Sequence, residues 1–600
     1  MRHLWVRGAR WNGERDLPRL LVAPIDAHRS GGPYTVAAAL LAALVPAARP
    51  ELVAMHDIEI RAAAPGLRDS VPARRRALAD QVPEAERVLV PAPRRTLRLA
   101  NGIAEFVRDH LAEAGRVALV VENAHEADHT DAELLGVLLR RIDPAVLTVV
   151  LCTPVAEPPL AAALPRNVET VPGAPGASTH AWPVATPDLV RRYVAEGFHH
   201  AAAEAGARAL ERAQADTEDW WALIHRTAGA LAATDREDAA RALFDLARRE
   251  STDPVNRATA AYATAMLLTR HHDPEKRDIE EARAWINEAI TITGLLPDPR
   301  VRAFHLGFDL NGKALIETRL GRPRVALRLV EEAIALAEGD LEPGEHPIHR
   351  LVLRANRAQL TMRLGDPAAA LADLDAVIDA DPGYPDYYID RGNLRYRLGR
   401  AADAVADYET AMRVGPPFPE AYYNRAEIRF AEGDHAGALA DLDYAIELDP
   451  DFVDAYANRA GLLVAIGEYD RARSDARLGL ALNPRNAYLL CALGQAEAAV
   501  ARYAEARKAY DAAVFHDPEL AAVWASRGEL AFELGDPEGA IADLSRAIEL
   551  ADDAALRFNR ALALRSVGKH DLAQADLVRA AELDPADEDV RAALRTPETP

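Results

Sequence analysis

Apolar and polar positions recur with a period of 34 residues along residues 351–587, and no other stretch of the chain is as regular. Each period contains two amphipathic helical segments, which a glycine separates in six of the seven periods and a proline closes in six. The apolar face of such a helix pair can be covered only by the next pair, so the pairs are predicted to stack into an α-solenoid. Seven repeats are expected, at 351–384, 385–418, 419–452, 453–486, 487–520, 521–553 and 554–587.

Small residues hold the same places in every repeat, counted from its first residue. Position 20 is alanine in all seven repeats, and position 8 is alanine or glycine, so the two helices of a unit can pack closely. Position 15, where the chain must turn, is glycine in six repeats and Ala501 in the fifth. This pattern resembles the tetratricopeptide repeat over all seven units. The resemblance implies a superhelix whose concave groove binds a protein or an extended peptide.

Two charged columns run through the repeats. Position 7 is arginine and position 23 is aspartate in six of the seven repeats, and the fifth repeat lacks both together. Their joint loss predicts that the two residues pair between the helices of one unit, as in Arg425 with Asp441 and Arg459 with Asp475. We expect this column to have a structural role.

A third column is a candidate peptide-binding surface. Position 6 is asparagine in four repeats, at Asn356, Asn424, Asn458 and Asn559. In tetratricopeptide repeats this position faces the groove, where carboxamides can bind the backbone of an extended peptide. Aromatic groove residues would then provide specificity: Tyr396, Tyr423, Phe430 and Phe532. Alternatively, the asparagines bond neighbouring repeats to each other, and the sequence does not separate the two interpretations.

Residues 1–170 alternate between strand-like and helix-like segments, which predicts an α/β domain with a parallel sheet. The predicted strands are 19–23, 52–55, 117–121 and 146–152. The predicted helices are 35–45, 103–114 and 131–141. The chain is therefore expected to be multidomain, with an α/β parallel-sheet domain followed by all-α helical repeats.

The segment 117–128 resembles the Walker B strand of P-loop ATPases of the STAND class, and the resemblance covers most of residues 1–170. It implies a nucleotide-binding remnant at Arg29, Gly31, Gly32, Thr35, Glu122 and Asn123. However, Tyr34 stands where the phosphate-binding lysine belongs, and Asn123 cannot act as a general base. We therefore expect a degenerate domain without hydrolysis, no required cofactor and no enzymatic activity, while residual binding of ATP and Mg²⁺ stays open.

The remaining segments are connectors and further helices. Residues 171–187 are rich in Pro, Gly and Ser and are predicted to form a linker. Helices are predicted throughout 188–350, at 188–215, 218–233, 235–250, 255–271, 277–294, 299–320 and 322–338. Residues 588–600 are expected to form a short capping helix and a disordered tail. The paired histidines in 188–350 are interpreted as solvated surface, so no metal site is expected.

Composition narrows the function classes. The net charge of −23 argues against a nucleic-acid partner, because phosphate binding needs a basic surface. Two cysteines cannot form a disulfide framework, and no apolar segment is long enough to span a membrane, which favours a cytoplasmic protein. We expect a protein-binding scaffold, with homo-oligomer formation left open. The alternative is a STAND-like, nucleotide-dependent regulatory ATPase whose repeats sense a ligand.

Overall fold

The computed structural model describes residues 2–13, 16–78, 81–82, 92–112, 115–154, 168–174 and 181–595. The chain divides into two compact units, Met1–Phe418 and Pro419–Pro600. The boundary falls between the second and third repeats, so the first unit contains the α/β domain, the irregular helices and two repeats. In the described part of the chain, no helix is both long enough and apolar enough to cross a membrane.

A parallel sheet forms the centre of the α/β domain. Its strands are β1 (Leu4–Arg7), β2 (Arg19–Leu20), β3 (Ile25–Asp26), β4 (Val117–Glu122), β5 (Leu147–Cys152) and β6 (Glu169–Pro172). The strand order is β2–β4–β5–β1–β6, and β3 also pairs with β4. Within this order β1 lies between β5 and β6, with Leu4 opposite Val150 on one side and Glu169 on the other. The predicted parallel-sheet domain is confirmed.

Five helices cover this sheet: α1 (Thr35–Leu44), α2 (Pro50–Met55), α3 (Asp57–Ala63), α4 (Ala92–Leu111) and α5 (His129–Arg141). The residues of β5 are all buried, as the unbroken apolar run in the sequence predicts for a strand covered on both faces. Leu40, Ile103 and Leu134 belong to the same core and are fully buried.

Three details of this domain differ from the sequence-based expectation. The predicted strand at 52–55 is wrong, because these residues lie in α2, where Pro50 occupies the first turn and suits a helix start. Strand β1 was not predicted, since only four residues of it pair. Strand β6 crosses the predicted boundary at 170, so the first residues of the predicted linker belong to the sheet. Residues 175–180 of that linker lie outside the described residues.

The rest of the first unit consists of helices. They are α6 (Pro187–Ala195), α7 (His199–Leu210), α8 (Glu218–Ala232), α9 (Glu237–Glu250), α10 (Pro254–Arg270), α11 (Ile279–Gly294), α12 (Pro299–Arg319), α13 (Pro323–Gly339), α14 (Pro347–Arg363), α15 (Pro367–Ala380), α16 (Pro385–Arg397) and α17 (Ala401–Val414). The single helix predicted at 188–215 is broken, because the chain turns at Gly197 with a φ of +80°. The other predicted helices of this region are present within a few residues of their expected ends.

The second unit contains five repeats and a terminal helix. Its helices are α18 (Pro419–Ala431), α19 (His435–Leu448), α20 (Val453–Ala465), α21 (Tyr469–Leu482), α22 (Ala487–Ala499), α23 (Tyr503–His516), α24 (Ala521–Glu533), α25 (Pro537–Leu550), α26 (Ala554–Ser566), α27 (His570–Leu583) and α28 (Glu588–Arg595). Helix α28 lies where the capping helix was predicted, whereas the tail from 596 onward lies outside the described residues.

The small residue at position 8 has a direct packing reason. A Cβ atom added to Gly392 would lie 2.5 Å from a ring carbon of Tyr408, and one added to Gly494 would lie 2.4 Å from Tyr510. Both tyrosines are buried on the second helix of the same unit. Position 8 in these repeats is therefore the place where an aromatic side chain crosses the first helix.

Within the first unit, the α/β domain contacts the repeats directly. Arg98 on α4 donates to both carboxylate oxygens of Asp386 at 3.2 Å, and its guanidinium lies 4.2 Å from the ring centroid of Phe418. The backbone N–H of Leu78 donates to the side chain of Asp381 at 2.9 Å. These contacts fix the α/β domain against the loop before α16, the first turn of α16 and the loop after α17.

Candidate functional site

A groove in the first unit encloses about 540 Å³ and is lined by α10, α12, α14 and α16. These are the first helices of four consecutive pairs, so one face of the stacked first helices forms the groove. Four carboxamide side chains line it: Asn311, Asn356, Gln359 and Asn393. Of the asparagines that the sequence singled out, Asn356 is the one that lines this groove.

The asparagine column bonds to the preceding repeat. The Asn356 Nδ2 atom donates to Asn311 Oδ1 at 2.9 Å, and Asn559 Nδ2 donates to Glu529 Oε1 at 2.8 Å. Each bond joins position 6 of one repeat to the first helix of the preceding helix pair. Bonding between neighbouring repeats, one of the two interpretations of this column, is therefore present. In the Asn356–Asn311 pair, this bond uses one of the two N–H groups of Asn356 and one of the lone pairs of Asn311.

The other predicted groove residues lie elsewhere on the first helices. Asn458 hydrogen-bonds Tyr423, and burial raises the pKa of that tyrosine to about 12. Asn424 and Tyr396 are half-buried on α18 and α16. Phe430 and Phe532 keep 44% and 38% of their surface exposed near the ends of α18 and α24.

Arginines give one end of the groove a positive charge. Arg270, Arg363 and Arg397 line it, and an adjoining cleft of about 530 Å³ is lined by Arg277, Arg319 and again Arg363. Within the described residues, Arg270 and Arg363 form no hydrogen bond or ion pair. Unpaired arginines are notable in a chain whose net charge is −23.

Sequence reasoning missed these arginines, although a signal was present. Arg363 and Arg397 both occupy position 13, which is arginine in the first two repeats and in none of the other five. A position whose residue differs between repeats of one array indicates a role beyond packing, because the packing requirements are the same in every repeat.

The groove also contains a carboxyl group with an altered pKa. Burial, with a smaller contribution from Asp386, raises the pKa of Asp390 to about 6, and a hydrogen bond from Gln359 partly opposes this shift. Asp390 occupies position 6, where four other repeats have asparagine. Its charge therefore changes between mildly acidic and neutral pH.

The loop that the sequence suggested as a nucleotide-binding remnant is bonded internally. The N–H groups of Val36 and Ala37 donate to the Asp131 carboxylate at 3.0 and 3.1 Å, and the N–H of Tyr34 donates to Thr130 Oγ1 at 2.9 Å. A phosphate at a helix N-terminus needs such N–H groups unoccupied. Because α5 supplies these acceptors, the N-terminus of α1 beside Gly31, Gly32 and Thr35 already holds a carboxylate.

Glu122 and Asn123 contact the start of this loop and also the loop that follows β1. Asn123 Nδ2 donates to Asp26 Oδ1, and the N–H of Ala27 donates to the carbonyl of Glu122, each at 2.9 Å. The N–H of Trp11 donates to Glu122 Oε1 at 3.1 Å, and the N–H of Asn123 donates to the carbonyl of Ala9 at 2.9 Å. Both residues thus contact the loop that follows β1. Arg29 instead approaches Glu126 and Glu204, at 3.7 and 3.9 Å.

The loop after β1 follows a central strand of the sheet and lies where connections to neighbouring strands diverge, the usual ligand position in open α/β sheets. Two glycines five residues apart, Gly8 and Gly13, were its sequence signal. A Cβ atom on Gly8 would lie 2.5 Å from the backbone of Gly173, so the chain after β6 closes one side of this loop.

The arginine–aspartate columns meet as bidentate pairs. Arg459 Nε and Nη2 donate to the two carboxylate oxygens of Asp475 at 2.6 and 2.8 Å. The same geometry occurs in Arg357–Asp373, Arg391–Asp407, Arg425–Asp441, Arg527–Asp543 and Arg560–Asp576. Arg459 also reaches Asp443 of the preceding repeat at 2.7 Å, so this column joins repeats as well as helices.

Family models match the repeat region. Models described as "Tetratricopeptide repeat" match residues 355–411, 389–451 and 491–555, residues 429–474, and residues 554–587. These segments are tetratricopeptide repeats, as their spacing and small-residue columns predicted. No curated protein matches the chain.

Three of the solved structures that match the chain are the following. A tetratricopeptide repeat protein from Parabacteroides merdae is 19% identical, with a TM-score of 0.36, and the match covers 41% of this chain and 97% of that one. Cut9–Hcn1 of the APC/C is 15% identical, with a TM-score of 0.36 and coverages of 68% and 96%. PilF of Pseudomonas aeruginosa is 16% identical, with a TM-score of 0.31 and coverages of 35% and 96%. Similarity at this level indicates no shared function.

Proposed function

We propose that the protein is a non-catalytic scaffold that binds an extended, acidic protein segment in the groove of its first unit. One observation carries the proposal: Arg270 and Arg363, without ion-pair partners in the described chain, stand in a groove that also presents carboxamides. A positively charged groove in an acidic protein selects for an acidic occupant.

The two kinds of side chain would divide the recognition between them. Arginine guanidinium groups bind carboxylates through paired N–H donors, and such bonds are the strong, charge-assisted kind. Carboxamides of Asn311 and Asn356 can donate to, and accept from, the backbone of an extended segment. Arginine would therefore select acidic side chains or a terminal carboxylate, whereas the carboxamides would tolerate many sequences.

The α/β domain is proposed to position the groove rather than to hydrolyse nucleotide. It contacts Asp381 on the loop that leads into α16 and Asp386 in the first turn of α16, one of the groove helices. The STAND-like alternative has less support at residues 27–35, because the N–H groups at the start of α1 donate to the Asp131 carboxylate.

The test is a binding measurement on the full-length protein with two labelled peptides. One is a twelve-residue peptide of alternating Asp and Ser, and the other replaces every Asp by Asn. The double variant Arg363→Ala/Arg397→Ala is compared with Arg328→Ala, which removes an exposed arginine from α13, outside the groove lining.

We expect the acidic peptide to bind more tightly than the amide peptide, and the double variant to weaken acidic-peptide binding by about tenfold or more. The Arg328→Ala control should bind like the wild type. Equal binding of the two peptides, or equal binding by the wild type and the double variant, would contradict the proposal.

A further inference from the structure

Three residues converge in the first unit, one at the start of α9 and two in the loop between α10 and α11. Glu237 is the first residue of α9, and His271 and His272 directly follow α10. One ligand atom from each lies within 4.8 Å of the other two, and in the part of the chain that the structure describes, this is the one such group of three. We propose that Glu237, His271 and His272 bind one divalent transition-metal ion, with zinc as the expected occupant.

The residues are already held close to each other. His272 Nδ1 lies 2.9 Å from Glu237 Oε2, and the His272 backbone N–H donates to Glu237 Oε1 at 3.0 Å. The two imidazole rings stack with their centroids 4.8 Å apart. The expectation that these histidines are solvated surface is wrong for His271, which is 5% exposed, because the helix end turns its ring inward.

A polar atom at this site lacks a partner. The Nε2 atom of His271 is buried and has no hydrogen bond, although a buried ring nitrogen ordinarily has one. Its Nδ1 atom accepts from the backbone N–H of Asp273 at 3.1 Å. Coordination through Nδ1 would replace this hydrogen bond directly. Coordination through Nε2 would also break it, because the ring proton would then have to move to Nδ1, which could no longer accept. A metal–imidazole bond replaces it with a stronger interaction.

The donor set indicates the kind of ion. Two imidazoles and one carboxylate suit zinc and its neighbours among the divalent transition metals, whereas calcium and magnesium prefer oxygen ligands alone. The surrounding charge also favours a cation: residues 235–238 and 273–277 contain five carboxylates against three cationic side chains. Half of the His272 side chain is exposed, so water can complete the coordination.

A bound ion would join two helix pairs. Glu237 belongs to the α8–α9 pair, whereas the histidines lie between α10 and α11. An ion at this position would therefore add a cross-link to the Lys276–Asp238 ion pair, which spans the same two loops at 3.1 Å. Because the ion requires the folded arrangement of both loops, its binding would stabilise this region.

The experiment uses untagged full-length protein, freed of metal by a chelator and then titrated with Co²⁺, whose visible absorption bands report on coordination. Zn²⁺ is then added to displace the cobalt. His272→Gln is the first variant, because this side chain is half-exposed and its loss leaves the fold intact, as far-UV circular dichroism would check. His271→Gln is the second, and His435→Gln, which removes an exposed histidine on α19, is the control.

We expect one equivalent of Co²⁺ to bind with visible bands, and Zn²⁺ to displace it. Both site variants should lose at least about tenfold in affinity, since even residues that only support ligands contribute that much, while the control is unchanged. Absence of bands in the wild type, or wild-type affinity in a folded His272→Gln variant, would overturn the proposal.

Discussion

Arg425 and Asp441 face each other across the third repeat through two parallel hydrogen bonds, Nε to Oδ2 at 2.9 Å and Nη2 to Oδ1 at 2.7 Å. Arg429, one helical turn further along α18, adds a third bond to Asp441 Oδ2 at 2.8 Å. The Asp441 side chain is only 5% exposed. This carboxylate is therefore buried and depends on two arginines of the facing helix.

We expect Asp441→Ala to destabilise the third repeat by about 3 kcal/mol, because Arg425 and Arg429, whose side chains are 14% and 30% exposed, would both lose a hydrogen-bonded carboxylate. Arg425→Leu should cost less, since Arg429 still reaches the carboxylate. The double variant Arg425→Leu/Asp441→Ala should lose less stability than the sum of the single losses, by about 1 kcal/mol or more. Native-state hydrogen exchange of peptides from α18 and α19 would measure the local free energies. Additive losses would contradict direct pairing.

The second prediction concerns nucleotide. We expect the full-length protein not to bind ATP through residues 27–35, because the Asp131 carboxylate accepts from the N–H groups at the start of α1. A calorimetric titration with ATP and ADP in the presence of Mg²⁺ would check this. The matched variant is Arg29→Ala, which removes the one cation that the sequence suggested in place of lysine. Micromolar binding that this variant weakens about tenfold would contradict the prediction.

The repeat array was predictable because its signals are local and repeated. The glycine at position 15 and the proline at position 32 mark the helix ends directly, and the joint loss of arginine and aspartate in the fifth repeat, at Leu493 and Ala509, indicated the pairing. In each case seven copies of one unit made a weak pattern readable. Information of this kind is absent where a residue occurs only once.

The candidate sites were harder to predict for that reason. Arg270 and Arg363 come together because α10 and α14 line the same groove, and no sequence spacing reports this distance. His271 looked like a surface residue because adjacent histidines on a continuing helix would diverge. Helix α10 instead ends at Arg270, and the two rings stack. Strand β1 was missed for the same reason, because it is defined by its pairing with β5 and β6, which are distant in sequence.

The third prediction concerns pH. Burial raises the pKa of Asp309 on α12 from 3.8 to about 7, partly offset by a hydrogen bond from Thr293 Oγ1. The folded state binds this proton more tightly than the unfolded state. Protonation of Asp309 therefore stabilises the folded state fully below about pH 4, and this stabilisation is lost as the pH rises through 7. Asp309→Asn removes this dependence.

We therefore expect Asp309→Asn to match the wild type near pH 4 and to be more stable at pH 8, by a few kcal/mol as an order of magnitude. Thermal unfolding midpoints between pH 4 and 8 would show a gap that widens with pH. Asp379→Asn, at an exposed position on α15, should show no such widening. A constant gap across this range would contradict the raised pKa.

The fifth repeat contains a backbone strain that can be relieved. Ala501 stands at the turn position with a φ of +59°, whereas the glycines at the corresponding turns have φ values between +73° and +86°. This left-handed conformation costs an L-residue with a Cβ atom roughly 1 kcal/mol. Ala501→Gly removes that strain but adds flexibility to the unfolded chain, so the expected net gain in stability is about 0.5 kcal/mol.

Gly467→Ala makes the reverse change at a turn with a φ of +80° and should destabilise its repeat by about 1 kcal/mol or more. Hydrogen exchange of peptides from α22 and α23, and from α20 and α21, would measure both effects. Faster exchange in Ala501→Gly than in the wild type would show that the alanine supports this turn instead of straining it.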